Sequence, residues 1–233
     1  MPKRTVAIVP AGGSGKRMGG PLSKQYFLLA GKPILAHTLK RFQESGAISA
    51  VILVVPADDV EPVGKTIVDR YGLTKVKAVI PGGTQRQDSV RNGLDAAGEG
   101  YDIILIHDGV RPFISDHLIS RAVREAETFG AVTVGCPAKD TIKSISSEGF
   151  VKNTLPRDSI WTIQTPQAFR TDVIVEAHRR AVADGYYGTD DAALVERMGI
   201  PVKALAGSYD NIKITTKEDM ALAERIMALE HGL

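Results

Sequence analysis

The chain of 233 residues has one cysteine, Cys136, which excludes an internal disulfide. Set in the apolar stretch GAVTVGCPA, that thiol reads as a buried structural group rather than a nucleophile. Long apolar runs are missing as well. The longest, such as 51–56 and 103–106, fall far short of the roughly 20 residues a membrane-spanning helix needs, so no membrane role is expected. Net charge is only +2, without the basic excess that bulk nucleic-acid binding calls for. The opening MPKRTVAIVPAGG lacks an apolar segment followed by a small-residue cleavage site; no signal peptide is expected, and the expected compartment is the cytoplasm. No His/Cys cluster and no Ser-His-Asp arrangement is visible, so metal-cage and nucleophile-triad chemistry are not expected. What is there is 43% hydrophobic and 24% charged, the composition of a globular chain with an ordinary core.

Short Val- and Ile-rich segments recur: TVAIVP, AVILVVP, KVKAVIPGG, DIILIHD, AVTVGCP and VKALAG. Between most of them the apolar spacing is helical. Residues 33–44 set Ile34, Leu35, Leu39 and Phe42 near one face. Residues 115–129 open on Ser115-Asp116 and carry Leu118, Ile119, Val123 and Ala126; residues 217–230 read KEDMALAERIMALE. Strands buried on both faces are continuous apolar runs, and their alternation with helices implies a mainly parallel sheet. The expected architecture is a doubly wound α/β fold, with ligands beyond the carboxyl ends of the strands. Residues 139–160 break the rhythm. Two short β-like pieces flank Ser146-Ser147-Glu148-Gly149, a hairpin signal too polar for the core. One domain spanning 1–233, with this hairpin projecting as an arm, is the expectation.

The stretch VAIVPAGGSGKRMGGPLSKQYFLLAGKP, residues 6–33, puts a glycine cluster after the first strand. Such loops hold phosphates through backbone N–H groups. A P-loop requires glycine where Pro10 stands and Ser or Thr where Arg17 stands. The dinucleotide fingerprint fits Gly13 and Gly15 but requires a third glycine where Met18 stands. Lys16, Arg17 and Lys24 add charge that a structural turn does not require, although a tight turn with solvated cations is the competing reading. Asp108 closes DIILIHD ahead of Gly109. A carboxylate there, beside a phosphate loop, suits Mg²⁺, which takes one or two carboxylates plus phosphate oxygens; a turn-forming Asp-Gly is the alternative. His107 reads as packed or hydrogen-bonded, Arg111 as a structural cation or a phosphate ligand. PGGTQRQDSVRNGL joins glycines to a helix start that Ser89 or Asp88 would cap; alternatively Gly82, Gly83 and Thr84 offer backbone groups to a base. WTIQTPQAF and GTDDAALVE read as loops opening helices, with Thr189-Asp190-Asp191 an N-cap cluster. DNIKIT, residues 210–215, reads as a short strand carrying Lys213.

In order, PAGGSGKRM, KQYFLLAGKPILAHTL, GGTQRQDSVRNGL, HDGVRP, DTIK, QTPQAF, TDDAALVE and DNIKIT cover nearly the whole chain. Together they resemble the 2-C-methyl-D-erythritol 4-phosphate cytidylyltransferases of the non-mevalonate isoprenoid pathway. The resemblance implies a Rossmann-like nucleotidyltransferase fold of the glycosyltransferase-A type. It implies CTP and methylerythritol phosphate as substrates, CDP-methylerythritol and pyrophosphate as products, Mg²⁺ as cofactor and a homodimer formed through the arm. By motif position, Ala11, Gly12 and Gly13 would line the CTP site, and Gly83, Thr84 and Ser89 the cytosine and ribose loop. Arg17 and Lys24 match the cations on the triphosphate, and Asp108 the acidic residue near Mg²⁺. Arg111, Thr141, Arg157 and Lys213 match residues that hold the acceptor phosphate, Lys213 also facing the reacting phosphate. Arg17, Lys24 and Lys213 are thus the expected catalytic cations. The chain departs from the family at Gly12 and at Gly109-Val110, where alanines are more usual. The latter form also occurs in ribitol-5-phosphate cytidylyltransferases, the alternative acceptor assignment. A non-catalytic nucleotide-binding domain is the alternative from another class; the presence of Lys24, Asp108 and Lys213 speaks against it.

Overall fold

The computed structural model describes residues 3–13 and 23–230. In chain order its strands are β1 (Thr5–Pro10), β2 (Leu28–Leu29), β3 (Lys32–Pro33), β4 (Ala50–Val55), β5 (Val76–Pro81), β6 (Ile103–Ile106), β7 (Ala131–Pro137), β8 (Lys143–Ile145), β9 (Val151–Thr154), β10 (Trp161–Arg170) and β11 (Lys203–Ala206). The helices are α1 (Ile34–Glu44), α2 (Val60–Val63), α3 (Arg86–Ala97), α4 (Asp116–Phe129), α5 (Thr171–Ala183), α6 (Asp191–Arg197) and α7 (Lys217–Glu230). Seven strands form one sheet in the order β11-β7-β10-β6-β1-β4-β5. Six run the same way, and β10 runs antiparallel between β6 and β7. Each of the six apolar runs of the sequence supplies one of the parallel strands.

Alternation along the strands divides the core. Ala7, Val9, Val51, Leu53, Ile103 and Leu105 face α1 and α4, packing with Leu35, Leu39, Phe42, Leu118 and Ile119. Val6, Ile8, Ile52, Val54, Ile104 and Ile106 face α3, α5 and α6, packing with Val90, Leu94, Ile174, Ala177 and Val195. A side chain such as Phe42 or Phe169, wholly buried, contributes roughly 1.5–3 kcal/mol by leaving water. A smaller cluster seats α7 against Leu29, Ile34, Val110 and Phe113. Among the described residues no helix is long and apolar enough to cross a membrane.

Two readings of the sequence are corrected. WTIQTPQAF is no loop: it is the greater part of β10, a ten-residue interior strand of the sheet, between β7 and β6. Its polarity hid it, because Gln167 and Thr165 are buried and satisfied by hydrogen bonds rather than by apolar packing. Pro166, foreign to a central strand, lies where the register shifts between Gln164 and Gln167. DNIKIT is no strand. Its polar groups are taken up by other partners: the Asn211 amide donates to the Thr165 carbonyl at 2.8 Å, the Arg111 guanidinium donates to the Asn211 carbonyl at 2.8 Å, and the Ile214 N–H donates to the Val110 carbonyl. The expected hairpin is present as β8 and β9, paired antiparallel in a sheet of their own.

Candidate active site

The carboxyl ends of β1, β4, β5 and β6 meet because adjacent strands bond across their exits. The Ala11 N–H donates to the Val54 carbonyl, Gly82 to Val55, and Gly109 to Pro10. The sheet order reverses direction at β1, so a crevice opens between the exits of β1 and β6, the usual ligand position in such sheets. A cavity of about 450 Å³ fills it. Its wall includes Ala11, Gly12, Gly13 and Lys24 on one side, and Gly82, Gly83, Thr84 and Ser89 on the other. Asp108, Lys213 and Arg86 close its end.

The second loop is shaped from within. The Ser89 hydroxyl accepts the Gly83 N–H at 3.0 Å and donates to the Gln85 carbonyl at 3.1 Å. A side chain at Gly83 would place its Cβ 2.3 Å from the Cβ of Asp88, so only glycine fits this tight return. The cap of α3 is Gln85, with Asp88 returning a bond to its backbone three residues later. This is the reciprocal arrangement that satisfies two orphan donors; Ser89 caps nothing.

At the junction Asp108 gathers three cations. Its Oδ2 lies 2.8 Å from the Lys213 ammonium and 3.5 Å from Nε of Arg111, and its Oδ1 lies 3.3 Å from Nε of Arg86. Burial pushes the carboxyl pKa up, but the charges of Arg86, Lys213 and Arg111 outweigh it and hold Asp108 ionised, well below the usual carboxylate range. The Asp108 N–H is fixed by the Thr165 hydroxyl at 3.0 Å. His107 is wholly buried, bonded to the Arg111 carbonyl and to Thr165 and edge-on to Phe42; burial pushes its pKa down to about 4, so it is neutral and structural. Lys213 is delivered by the capping of α7. Asp219 accepts from the N–H groups of Thr215 and Thr216 while Thr216 accepts from Asp219, and buried Ile214 anchors the strap to Val110.

Beyond the junction lies a second cavity of about 330 Å³, lined by Arg111, Gln164, Thr165, Gln167, Thr189 and Asp190. Arg86, Asp108 and Lys213 line both cavities. Of the residues named from sequence, Ala11, Gly12, Gly13, Lys24, Gly83, Thr84, Ser89, Asp108 and Lys213 thus stand around the first cavity, and Arg111 in the second. Thr141 and Arg157 stand at neither. Both are exposed at the base of the β8–β9 hairpin, where Arg157 donates to the Lys139 carbonyl. Arg17 lies outside the described residues. Sequence reasoning missed Arg86, Gln164, Thr165 and Gln167. Arg86 was hidden because its acidic partners are distant in sequence, and the other three because β10 was read as a loop.

Comparison with known proteins adds an independent line. The family model described as "IspD: 2-C-methyl-D-erythritol 4-phosphate cytidylyltransferase" matches residues 5–229. The 2-C-methyl-D-erythritol 4-phosphate cytidylyltransferase of Syntrophus aciditrophicus is 50% identical over 232 residues, covering 100% of this chain and 99% of its own. That of Pelotomaculum thermopropionicum is 46% identical, covering 98% and 96%. Among solved structures, 4-diphosphocytidyl-2C-methyl-D-erythritol synthase from Anaerococcus prevotii aligns with a TM-score of 0.86 at 35% identity, over 97% of this chain and 96% of that one. The Thermus thermophilus 2-C-methyl-D-erythritol 4-phosphate cytidylyltransferase aligns with a TM-score of 0.79 at 30% identity, over 96% and 98%.

Proposed function

The chain belongs to the 2-C-methyl-D-erythritol 4-phosphate cytidylyltransferase family, and on that premise we propose how its own side chains carry the reaction. The enzyme transfers the cytidylyl group of CTP to 2-C-methyl-D-erythritol 4-phosphate, giving CDP-methylerythritol and pyrophosphate for isoprenoid synthesis. The observation that supports the assignment of roles is the wall of Asp108, Lys213 and Arg86 common to two cavities.

CTP occupies the larger cavity, its triphosphate over Gly12, Gly13 and Lys24 and its base against Gly83, Thr84 and Ser89. The acceptor's phosphate enters the smaller cavity beside Arg111. An oxygen of that phosphate attacks the α-phosphorus of CTP. The new P–O bond forms as the bond to the β-phosphate oxygen breaks, and pyrophosphate leaves with the electron pair. Two anions meet, so catalysis is mainly preorganised positive charge at the junction and in-line positioning. Lys213 serves both cavities, and Lys24 offsets charge on the leaving side.

The donor set fits Mg²⁺ in one mode. Among the described residues no three His, Cys, Asp or Glu side chains stand together to cage a metal. Asp108, ionised at the cavity wall, supplies the single carboxylate that Mg²⁺ needs when substrate phosphates provide further oxygens. When bound, the ion would neutralise phosphate charge.

The β8–β9 arm completes the assignment. An isolated two-stranded hairpin is marginal in water, and Ile145, Phe150 and Val151 on it are exposed. The arm therefore packs on a second copy of the chain, carrying Thr141 and Arg157 into that copy's acceptor cavity. The test of the reaction is pyrophosphate release with Mg²⁺. The expected result is turnover of CTP with methylerythritol phosphate and much less with ATP or GTP; a higher rate with ribitol 5-phosphate would transfer the chain to that acceptor.

A further inference from the structure

Behind the junction runs a buried chain of alternating charge. The Arg86 guanidinium donates through Nη1 to Oδ2 of Asp191 at 2.7 Å and through Nε to Oδ1 of Asp108 at 3.3 Å. The other oxygen of Asp191 pairs with Nε2 of His178 at 3.2 Å. Asp191 is 1% exposed and His178 2%, and neither lines either of the two cavities described above. The backbone of Asp191 is itself pinned, its N–H donating to Oε1 of Gln167 in β10 at 3.1 Å. Arg86, by contrast, lines both cavities, with 32% of its side chain exposed. Two of its five N–H groups are committed to the carboxylates, and the remaining three make no other hydrogen bond among the described residues.

We propose that Arg86 contacts a reacting phosphoryl group with that uncommitted edge, and that Asp191 is the residue that positions it. This rests on the assignment of the two cavities to CTP and the acceptor phosphate. A salt bridge kept for stability alone is the competing account. It explains the arrangement poorly. A buried ion pair gains little over packed apolar side chains, because desolvating both charges offsets their attraction. Stability also gives no reason for the guanidinium to stand in the common wall with one edge unbonded among the described residues. Orientation does. Two carboxylates gripping Nε and Nη1 fix the plane of the fork, and a planar fork is what recognises phosphate oxygens in two directions at once. Asp108 alone leaves that plane free to rotate about its one contact.

A double-mutant cycle in pyrophosphate-release assays separates the accounts. R86A lowers kcat/KM about 100-fold, the scale for removing one preorganised charge-stabilising donor. D191N, which keeps the shape and removes the charge, lowers it about tenfold, and it adds nothing further in the R86A background because residues acting as one unit are not additive. The fall appears in kcat more than in KM, as for an interaction made in the transition state. An R86A rate within about twofold of wild type, or a double variant whose loss is the product of the two single losses, overturns the proposal. If D191N does not fold, R86K decides. An ammonium keeps the charge but cannot grip two carboxylates and a phosphate in one plane, so a clear loss supports the proposal and a wild-type rate overturns it. The wild-type enzyme keeps the two questions apart. Inactivity with CTP and methylerythritol phosphate refutes the assignment of function, whereas full activity with indifferent variants refutes only the role of Arg86 and Asp191.

Discussion

Two glycines of the ligand loops look alike in sequence and differ in what surrounds them. A Cβ at Gly13 would meet Cε of Lys24 at 2.9 Å and its Nζ at 3.3 Å. Those atoms end a flexible side chain, so Gly13→Ala moves the ammonium and leaves the fold intact. The expected outcome is a kcat lower by ~10²-fold, the scale for misplacing one preorganised charge, with a nearly unchanged thermal midpoint. At Gly83 the obstacle is the first turn of α3, with Asp88 Cβ at 2.3 Å, which cannot step aside. Gly83→Ala therefore costs about 1–3 kcal/mol by overpacking, visible as a lower denaturation midpoint as well as a lower rate. Equal midpoints for the two variants would contradict this account. Asp108 could be picked out from sequence because an apolar strand ending in Asp-Gly is a local signal. Arg86 could not, since the partner that defines it, Asp191, lies 105 residues along the chain.

At the scale of elements, hydropathy reveals what is buried through apolar contact. The six apolar strands, α1, α4 and α7 stand where the spacing of Val, Ile and Leu puts them. The element that hydropathy missed, β10, is buried through hydrogen bonds. Gln167 donates to Thr133 and Asp190 and accepts from the N–H groups of Asp191 and Ala192, and no window of composition reports such a partner set. Helix ends are more local. Ser115 opens α4, accepting from the Leu118 N–H. Gly130 closes it at φ 82°, returning its N–H to Ala126 before β7 begins. That left-handed residue has only Val173 nearby, 4.0 Å from an added Cβ, so Gly130→Ala pays in backbone strain alone. We expect a loss of about 1 kcal/mol with kcat unchanged, read by chemical denaturation; an unaffected midpoint would argue that α4 does not end in this way.

For the whole molecule the arm sets the question of assembly. Thr141 and Arg157 lie at the hairpin's base and at neither cavity of their own chain, so the proposed dimer is what gives them a substrate to touch. Co-expression of Lys24→Ala with Arg157→Ala, each expected to be inactive alone, tests it. In a mixed two-fold dimer one site collects both lesions and the other collects none, so random pairing restores about a quarter of wild-type sites. Verified mixed dimers with no recovered activity would place each site within one chain.

The antiparallel strand also has a bearing on how the molecule comes into being. β6 pairs with β1 from nearly a hundred residues earlier and with β10 from some sixty residues later, and Asp108 draws Lys213 from 105 residues further along the chain. Contacts this far apart in sequence must wait for large loops to close, which makes such topologies slow to fold. During synthesis the strand leading into the proposed CTP loop is made first, whereas Lys213 is added some two hundred residues after Gly13. The charge cluster is therefore the last part to close, and turnover certifies the finished topology in a way that sheet content alone does not.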